Sequence, residues 1–290
     1  MSGWPRSRLW SASRNQATAR HPQRQTQRQT QDQSTSESRA AVVSSPVNMH
    51  RSHPQAARII SSRERMGHPR HAYLFGVNQS TSSRGVWNKS VSLETVRCSL
   101  YPGHQRPGRR LGTLSVEFAK SDLNKDFLWT WLSDCLIKDV SAHKLASVGL
   151  TGFSTRPAEV TSEGRSLRTK YDEFVTTGWG GIARPESGVE LTETCPVCGM
   201  LEYSGVRNWR SLIDGKQWDG SDFFMVWPLP RFIFMTSRAA ETLKRMQVSG
   251  ISIQSLNDLE PQEDGLSPGR MSYWYSAETL DRHKISPDLR

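Results

Sequence analysis

Apolar and polar positions divide the chain unevenly. The first 65 residues are polar and show neither a helical nor a strand period; QRQTQRQTQDQSTSES is their most repetitive part. The densest apolar stretch lies between Trp218 and Met246. Phe223 to Trp227 form a continuous run, Pro228-Leu229-Pro230 interrupts it, and Phe232 to Met235 resume it. Runs of about five aromatic and β-branched residues read as buried strands. The two prolines lack N–H donors, and Pro230 turns Leu229 away from the helical region, which predicts a fixed corner between two strands. Thr236 or Ser237 can then accept from a free N–H at a helix start. Ala239, Ala240, Leu243 and Met246 follow at helical spacing, with Glu241, Lys244 and Arg245 on the opposite side. Gly250 reads as a helix stop, and Ile251-Ser252-Ile253 alternates like a strand. The order is strand, proline corner, strand, helix, strand.

The same patterning predicts further elements. Residues 73–75, 91–100 and 171–175 read as short strands, and Leu114, Val116 and Phe118 alternate with Ser115 and Glu117 as a strand does. Residues 126–138 (DFLWTWLSDCLIK) read as a helix with Leu128, Trp131, Leu132 and Cys135 on one face, Cys135 serving as a small buried apolar side chain. The glycine-rich 176–181 lacks both GxGxxG and GxxxxGK[ST] and reads as a flexible turn around a buried Trp179. Two helix-to-strand joints echo each other, LASVGLTGFS at 145–154 and LKRMQVSGIS at 243–252. Either a segment is duplicated or one kind of joint is used twice. After Glu260 comes a turn-rich linker, then an amphipathic piece, MSYWYSAETLDRH, set against the domain. The fold class expected is α+β, with short, mostly antiparallel strands and a few packed helices. The expected organisation is a disordered tail over 1–65 and one domain over 66–290, with 140–260 as its core.

Charge changes the picture less than its total suggests. Of the net +10, residues 1–70 carry 12 Arg, no Lys and 3 acidic residues; the remainder holds 26 basic and 25 acidic side chains. The domain therefore has no overall field drawing it to phosphate, and nucleic-acid binding is expected only as a weak property of the tail. The tail also fits an Arg-rich transit peptide, or a start assigned upstream of Met49 or Met66. No run of 18 apolar residues and no apolar segment near the start is present, which predicts neither a membrane span nor a secretory signal. Four cysteines in 290 residues do not make a disulfide scaffold, so a reducing, cytoplasmic setting is expected.

Chemistry concentrates in few places. Cys195-Pro196-Val197-Cys198-Gly199 has the form of a zinc knuckle, two thiolates spaced to share one metal with a glycine letting the loop turn. A structural site needs four ligands. Cys98 and Cys135 stand singly upstream, and His104, His143 and His283 form no spaced pair, so zinc requires distant residues to converge; without that the knuckle is metal-free. A redox CxxC lacks its βαβ context. Asp219 and Asp222, beside Trp218, read first as turn caps and second as paired carboxylates for hydrolysis or a divalent cation. Arg207, Trp209 and Arg210 have the composition of a recognition surface.

The CPVCG motif, the WDGSDFFMVWPLPRFIFMTSRAAETL block and the strand after Gly250 resemble those of bacterial double-CxxCG motif proteins of the myxobacterial type, over roughly residues 140–260. This chain has one CxxCG where the family name implies two. The resemblance implies a bacterial α+β domain and, for some relatives, an immunity or interaction role. With no legible nucleophile–base pair or phosphate loop, the leading expectation is a non-enzymatic, cofactor-free protein that binds another protein through 207–218 and 219–222. The alternatives are a hydrolase using Asp219 and Asp222, and a structural zinc module.

Overall fold

The apolar stretches become strands in a computed structural model that describes residues 72–77, 84–167 and 169–289. The low-complexity start, with Met49 and Met66, lies outside these residues. They fall within one unit, Glu64–Arg290. In chain order come β1 (Ala72–Val77), β2 (Val86–Trp87), β3 (Ser92–Val96), β4 (Arg106–Leu111), β5 (Leu114–Glu117), β6 (Phe127–Trp129), β7 (Cys135–Lys138), α1 (Asp139–Ser147), β8 (Phe153–Ser162) and β9 (Arg165–Ser166). There follow β10 (Tyr171–Thr176), β11 (Gly178–Ile182), β12 (Leu191–Cys195), β13 (Met200–Tyr203), β14 (Phe223–Trp227), β15 (Ile233–Thr236), α2 (Ser237–Arg245), β16 (Ile251–Ser255) and α3 (Ala277–Arg282). One sheet has the order β11-β14-β15-β1-β16, a second the order β2-β5-β8-β10-β7-β6, and β3–β4 and β12–β13 are separate hairpins. Among the described residues strands predominate over three α-helices, and pairing is antiparallel except for β11–β14, β5–β8 and a bridge between Gly85 and Thr130.

The joint that echoes in the sequence belongs to a full structural repeat. β1 through β8 and β10 through β16 run a similar course: a strand, a short stretch paired in parallel (Gly85 with Thr130, β11 with β14), an inserted hairpin, two antiparallel strands, a helix and a last strand, with β5 an addition in the first half. The first strands are exchanged. β1 lies between β15 and β16, and β10 lies between β7 and β8, antiparallel to both neighbours in each case. Even register agrees: Phe75 faces Ile253 and Gly76 faces Ser252, as Phe174 faces Thr155 and Val175 faces Ser154. The joints cross too. Thr151 donates its N–H and Oγ1–H to Asp222, while Ser249 donates its N–H and Oγ–H to Asp126. Phe223 N–H donates to Thr151 O and Phe127 N–H to Ser249 O. Thr236 N–H returns to Asp222 O and Lys138 N–H to Asp126 O, each at the N-cap of its helix.

Four phenylalanines meet where the halves interlock. Ring centroids of Phe75 and Phe127 are 5.0 Å apart, those of Phe174 and Phe223 5.2 Å, and the cross pairs Phe75–Phe223 and Phe127–Phe174 5.9 and 5.8 Å. Edge contacts of this kind add roughly 0.5–1.5 kcal/mol each beyond burial. The core thus draws on β1, β6 and β7 as well as on the expected 140–260. A second cluster packs Trp227, Leu229 and Phe234 beneath Met271, Tyr275 and Leu280, so the C-terminal amphipathic piece does close over the domain.

Three expectations need correction. Residues 126–138 form the β6–β7 hairpin, not a helix: Thr130 and Asp134 bond each other across the turn, Ser133 takes φ 66°, and Trp131 and Leu132 point outward. Residues 178–182 are a strand, not a flexible turn; Cβ atoms on Gly178 and Gly180 would lie 2.0 Å from Ser221 Oγ and 2.4 Å from the Phe224 ring, so glycine is what lets β11 approach β14. The helix before Gly250 ends at Arg245, with Gln247 left-handed; Gly250 instead opens the crossing to β6.

Candidate metal centre

The two inserted hairpins meet at their tips. At the end of β12, Cys195 pairs with Met200, and the intervening knuckle closes through Gly199 N–H donating to Cys195 O at 2.8 Å, with Gly199 left-handed at φ 64°. Beyond β3, Cys98 begins a similar loop, and Tyr101 N–H faces Cys98 Sγ at 3.4 Å. A 3-10 turn over Pro102–His104 then brings the His104 imidazole back over the sulfurs.

Cys98 and His104 are therefore brought to where the further ligands that CPVCG lacks in sequence would have to stand. The four donor atoms of Cys98, His104, Cys195 and Cys198 all lie within 4.8 Å of one another. Cys98 Sγ and Cys195 Sγ are 3.8 Å apart, as are Cys198 Sγ and His104 Nδ1. A tetrahedral zinc with bonds of about 2.3 Å to sulfur and about 2.0 Å to nitrogen spaces its ligand atoms by roughly 3.5–3.8 Å. Cys195 and Cys198 are 2 % and 3 % exposed and Cys98 is 9 % exposed, which leaves little room for a substrate or exchanging water. Among the described residues no other cluster of three or more His, Cys, Asp or Glu donors is drawn together in this way.

The surroundings favour thiolates at Cys195 and Cys198. Burial works to raise the Cys198 thiol, but the Arg106 guanidinium, the Met200 N–H and His104 outweigh it and bring it down to about 6. Cys195 is lowered by the N–H of Cys198, against burial, with help from Val197 N–H and His104. Cys98 is raised by its own burial, and His104 is raised by its hydrogen bond to Cys195. Arg106 donates through Nη1 to Cys198 Sγ at 3.2 Å and through Nη2 to Cys198 O at 3.0 Å. On the far side of the imidazole, His104 Nε2 lies 3.6 Å from Glu193 Oε1. A carboxylate behind a ligating histidine fixes which nitrogen meets the metal. Accordingly Glu193→Gln and Arg106→Gln are each expected to weaken zinc binding by roughly 10–100-fold while leaving the fold intact, read by competition with a chromophoric chelator.

The other residues singled out from sequence are placed differently. Asp219 accepts from Trp179 N–H and from the N–H and Oγ–H of Ser221, so it caps turns. Asp222 is buried and engaged by Arg238, Thr151 and Thr236. Each carboxylate serves its own donors, and neither is among the clustered ligands. Trp209 is 5 % exposed with Nε1–H on Glu260 O, and Trp218 is half-buried with Nε1–H on Ser221 O, so neither is an exposed anchor. Arg207 and Arg210 remain at the surface, lining a groove of about 410 Å³ with Asn208, Asn257, Asp258 and Glu260. Cys135 is buried, its thiol raised by burial and then by Glu173 and Asp134, as suits an unreactive core side chain. Sequence reasoning weighed Cys98 and His104 only as single, distant residues and gave Arg106 and Glu193 no place beside the knuckle; the one available signal was that Cys98 opens a loop at the place in its repeat that Cys195 holds in the other.

Compared with protein-family models and with curated proteins, the chain matches none.

Proposed function

We propose that this protein is a non-catalytic domain built around a structural zinc centre, with Cys98, His104, Cys195 and Cys198 as ligands. The convergence of these four donors, all within 4.8 Å of one another and two pairs at the 3.8 Å a tetrahedral metal sets, carries the reading. Three sulfurs and one imidazole suit zinc over magnesium or calcium, which take oxygen. A closed, four-ligand set favours holding structure over activating water, and its thiolates fit a reducing, cytoplasmic compartment. The metal would fasten the insertion of one repeat to that of the other. Paired knuckles in two repeats also support kinship with double-CxxCG motif proteins. The test is elemental analysis of protein purified without added metal or affinity tag: one zinc per chain is expected, and fewer than about 0.2 equivalents, with no uptake on titration, would count against the reading.

A protein-binding role is supported by the groove that Arg207 and Arg210, both at the surface, line together with Asp258 and Glu260. Arg207→Glu with Arg210→Glu is expected to abolish binding of a partner that co-purifies stoichiometrically with the native chain; unchanged co-purification would exclude this face.

A further inference from the structure

The repeat relates the two metal-bearing hairpins residue by residue. Each is an insertion ahead of the strand that crosses to the other half: β3–β4, followed by the additional β5, precedes β6, and β12–β13 precedes β14. Cys98 and Cys195 stand at the same place, each at the mouth of a knuckle. The N–H groups of Leu100 and Tyr101 turn onto Cys98 Sγ, as those of Val197 and Cys198 turn onto Cys195 Sγ. In a metal knuckle, these two inward N–H groups belong to the second and third residues after the first cysteine, and the third is the second ligand. Cys198 occupies that place in one knuckle. Tyr101 occupies it in the other.

We infer that position 101 is the fourth ligand place of a twofold-related pair of knuckles, and that His104 supplies from outside the repeat pattern the ligand that Tyr101 cannot. The local geometry agrees. The Tyr101 ring is about half exposed and lies against the His104 ring, with centroids 4.9 Å apart, so it covers the imidazole that substitutes for its own position. His104 N–H donates to Tyr101 O at 2.9 Å, tying the substitute ligand to the place it relieves. The exchange sets the donor softness: three thiolates and a nitrogen, where the repeat alone would give four thiolates. It also hands one ligand to Glu193, a carboxylate on the opposite hairpin, so that the first coordination shell is held from both repeats.

This inference rests on the metal reading above, and rescue separates the two. Zinc affinity and the charge-transfer spectrum of the cobalt(II) form are measured for the native chain, His104→Ala, and His104→Ala with Tyr101→Cys, far-ultraviolet circular dichroism confirming that each is folded. Loss of the imidazole should weaken zinc by about 100-fold or more. The introduced thiol, binding as a thiolate with its proton released to water, should restore affinity to within about tenfold of native and strengthen the sulfur-to-cobalt absorption as four thiolates replace three. A double variant no tighter than His104→Ala, or one whose cobalt spectrum stays at the native intensity, overturns the inference alone. A native chain that takes up neither zinc nor cobalt removes the metal reading and this inference with it.

Discussion

Removing the metal with a chelator is expected to lower the thermal midpoint by roughly 10 °C or more and to free the two hairpins, while the interlocked sheets persist to higher temperature. The reason is the poverty of other contacts at the site. Apart from the four donors, the buried cluster between the hairpins contains Met200 and half-buried Val96. Leu191 and Leu93 point largely outward, and the two hairpins are sheets of two strands each. An isolated two-stranded hairpin is marginal in water. What fastens the two to each other is Arg106 on Cys198 and the ligand set itself; β4 is tied to its neighbouring sheet by Arg110 on Glu173, and β13 to the core by Leu201, Tyr203 and the Tyr203–Leu266 bridge. A structural zinc supplies folding free energy directly, and for a domain of this size each kcal/mol moves the midpoint by about 2–4 °C. Limited proteolysis locates the effect: cuts should appear between 92 and 111 and between 191 and 199 only after chelation, and zinc should suppress them. Cys198→Ser should reproduce the chelated pattern with zinc present. Equal protease resistance with and without metal would show that the hairpins stand on their own contacts.

Legibility followed how local the determinants were. The segment from Phe223 to Ile253 could be read directly, because a proline corner, a threonine N-cap and an amphipathic face each act within a few residues; Thr236 indeed accepts from Ala239 N–H. The knuckle at Cys195 was equally local. The 126–138 segment misled because its apolar residues satisfy a helical period as well as a hairpin, and the arbiter, the Thr130–Asp134 bond with a left-handed Ser133, is invisible to periodicity. The glycines of β11 read as a loop because their cause is the backbone of β14, reached only through the fold. The candidate metal centre was half legible for the same reason: Cys98 and His104 acquire meaning when two insertions meet. Their meeting depends on the repeat, whose only sequence trace was the paired joint at Gly152 and Gly250.

That paired joint yields the second large effect: Gly152→Ala and Gly250→Ala are each expected to reduce unfolding free energy by about 2–4 kcal/mol, against about 1 kcal/mol for Gly149→Ala. All three glycines are left-handed, at φ 82°, 85° and 74°, so intrinsic backbone strain is common to them. They differ in what a methyl group would meet. At Gly149 nothing lies within 4 Å. At Gly152 it would lie 2.0 Å from Phe223 O, and at Gly250 2.1 Å from Phe127 O, each a backbone carbonyl of the opposite repeat. Neither carbonyl can swing aside without disturbing Phe223 N–H on Thr151 O or Phe127 N–H on Ser249 O, and with them the rings where the halves interlock. Gln247, left-handed at φ 52° at the place Gly149 holds in the other joint, supplies the converse: Gln247→Gly should be neutral or stabilising by a few tenths of a kcal/mol. Urea unfolding monitored by tryptophan fluorescence, extrapolated to water, gives the four values. Were Gly152→Ala to cost no more than Gly149→Ala, the crossing strands would have room that the geometry denies them.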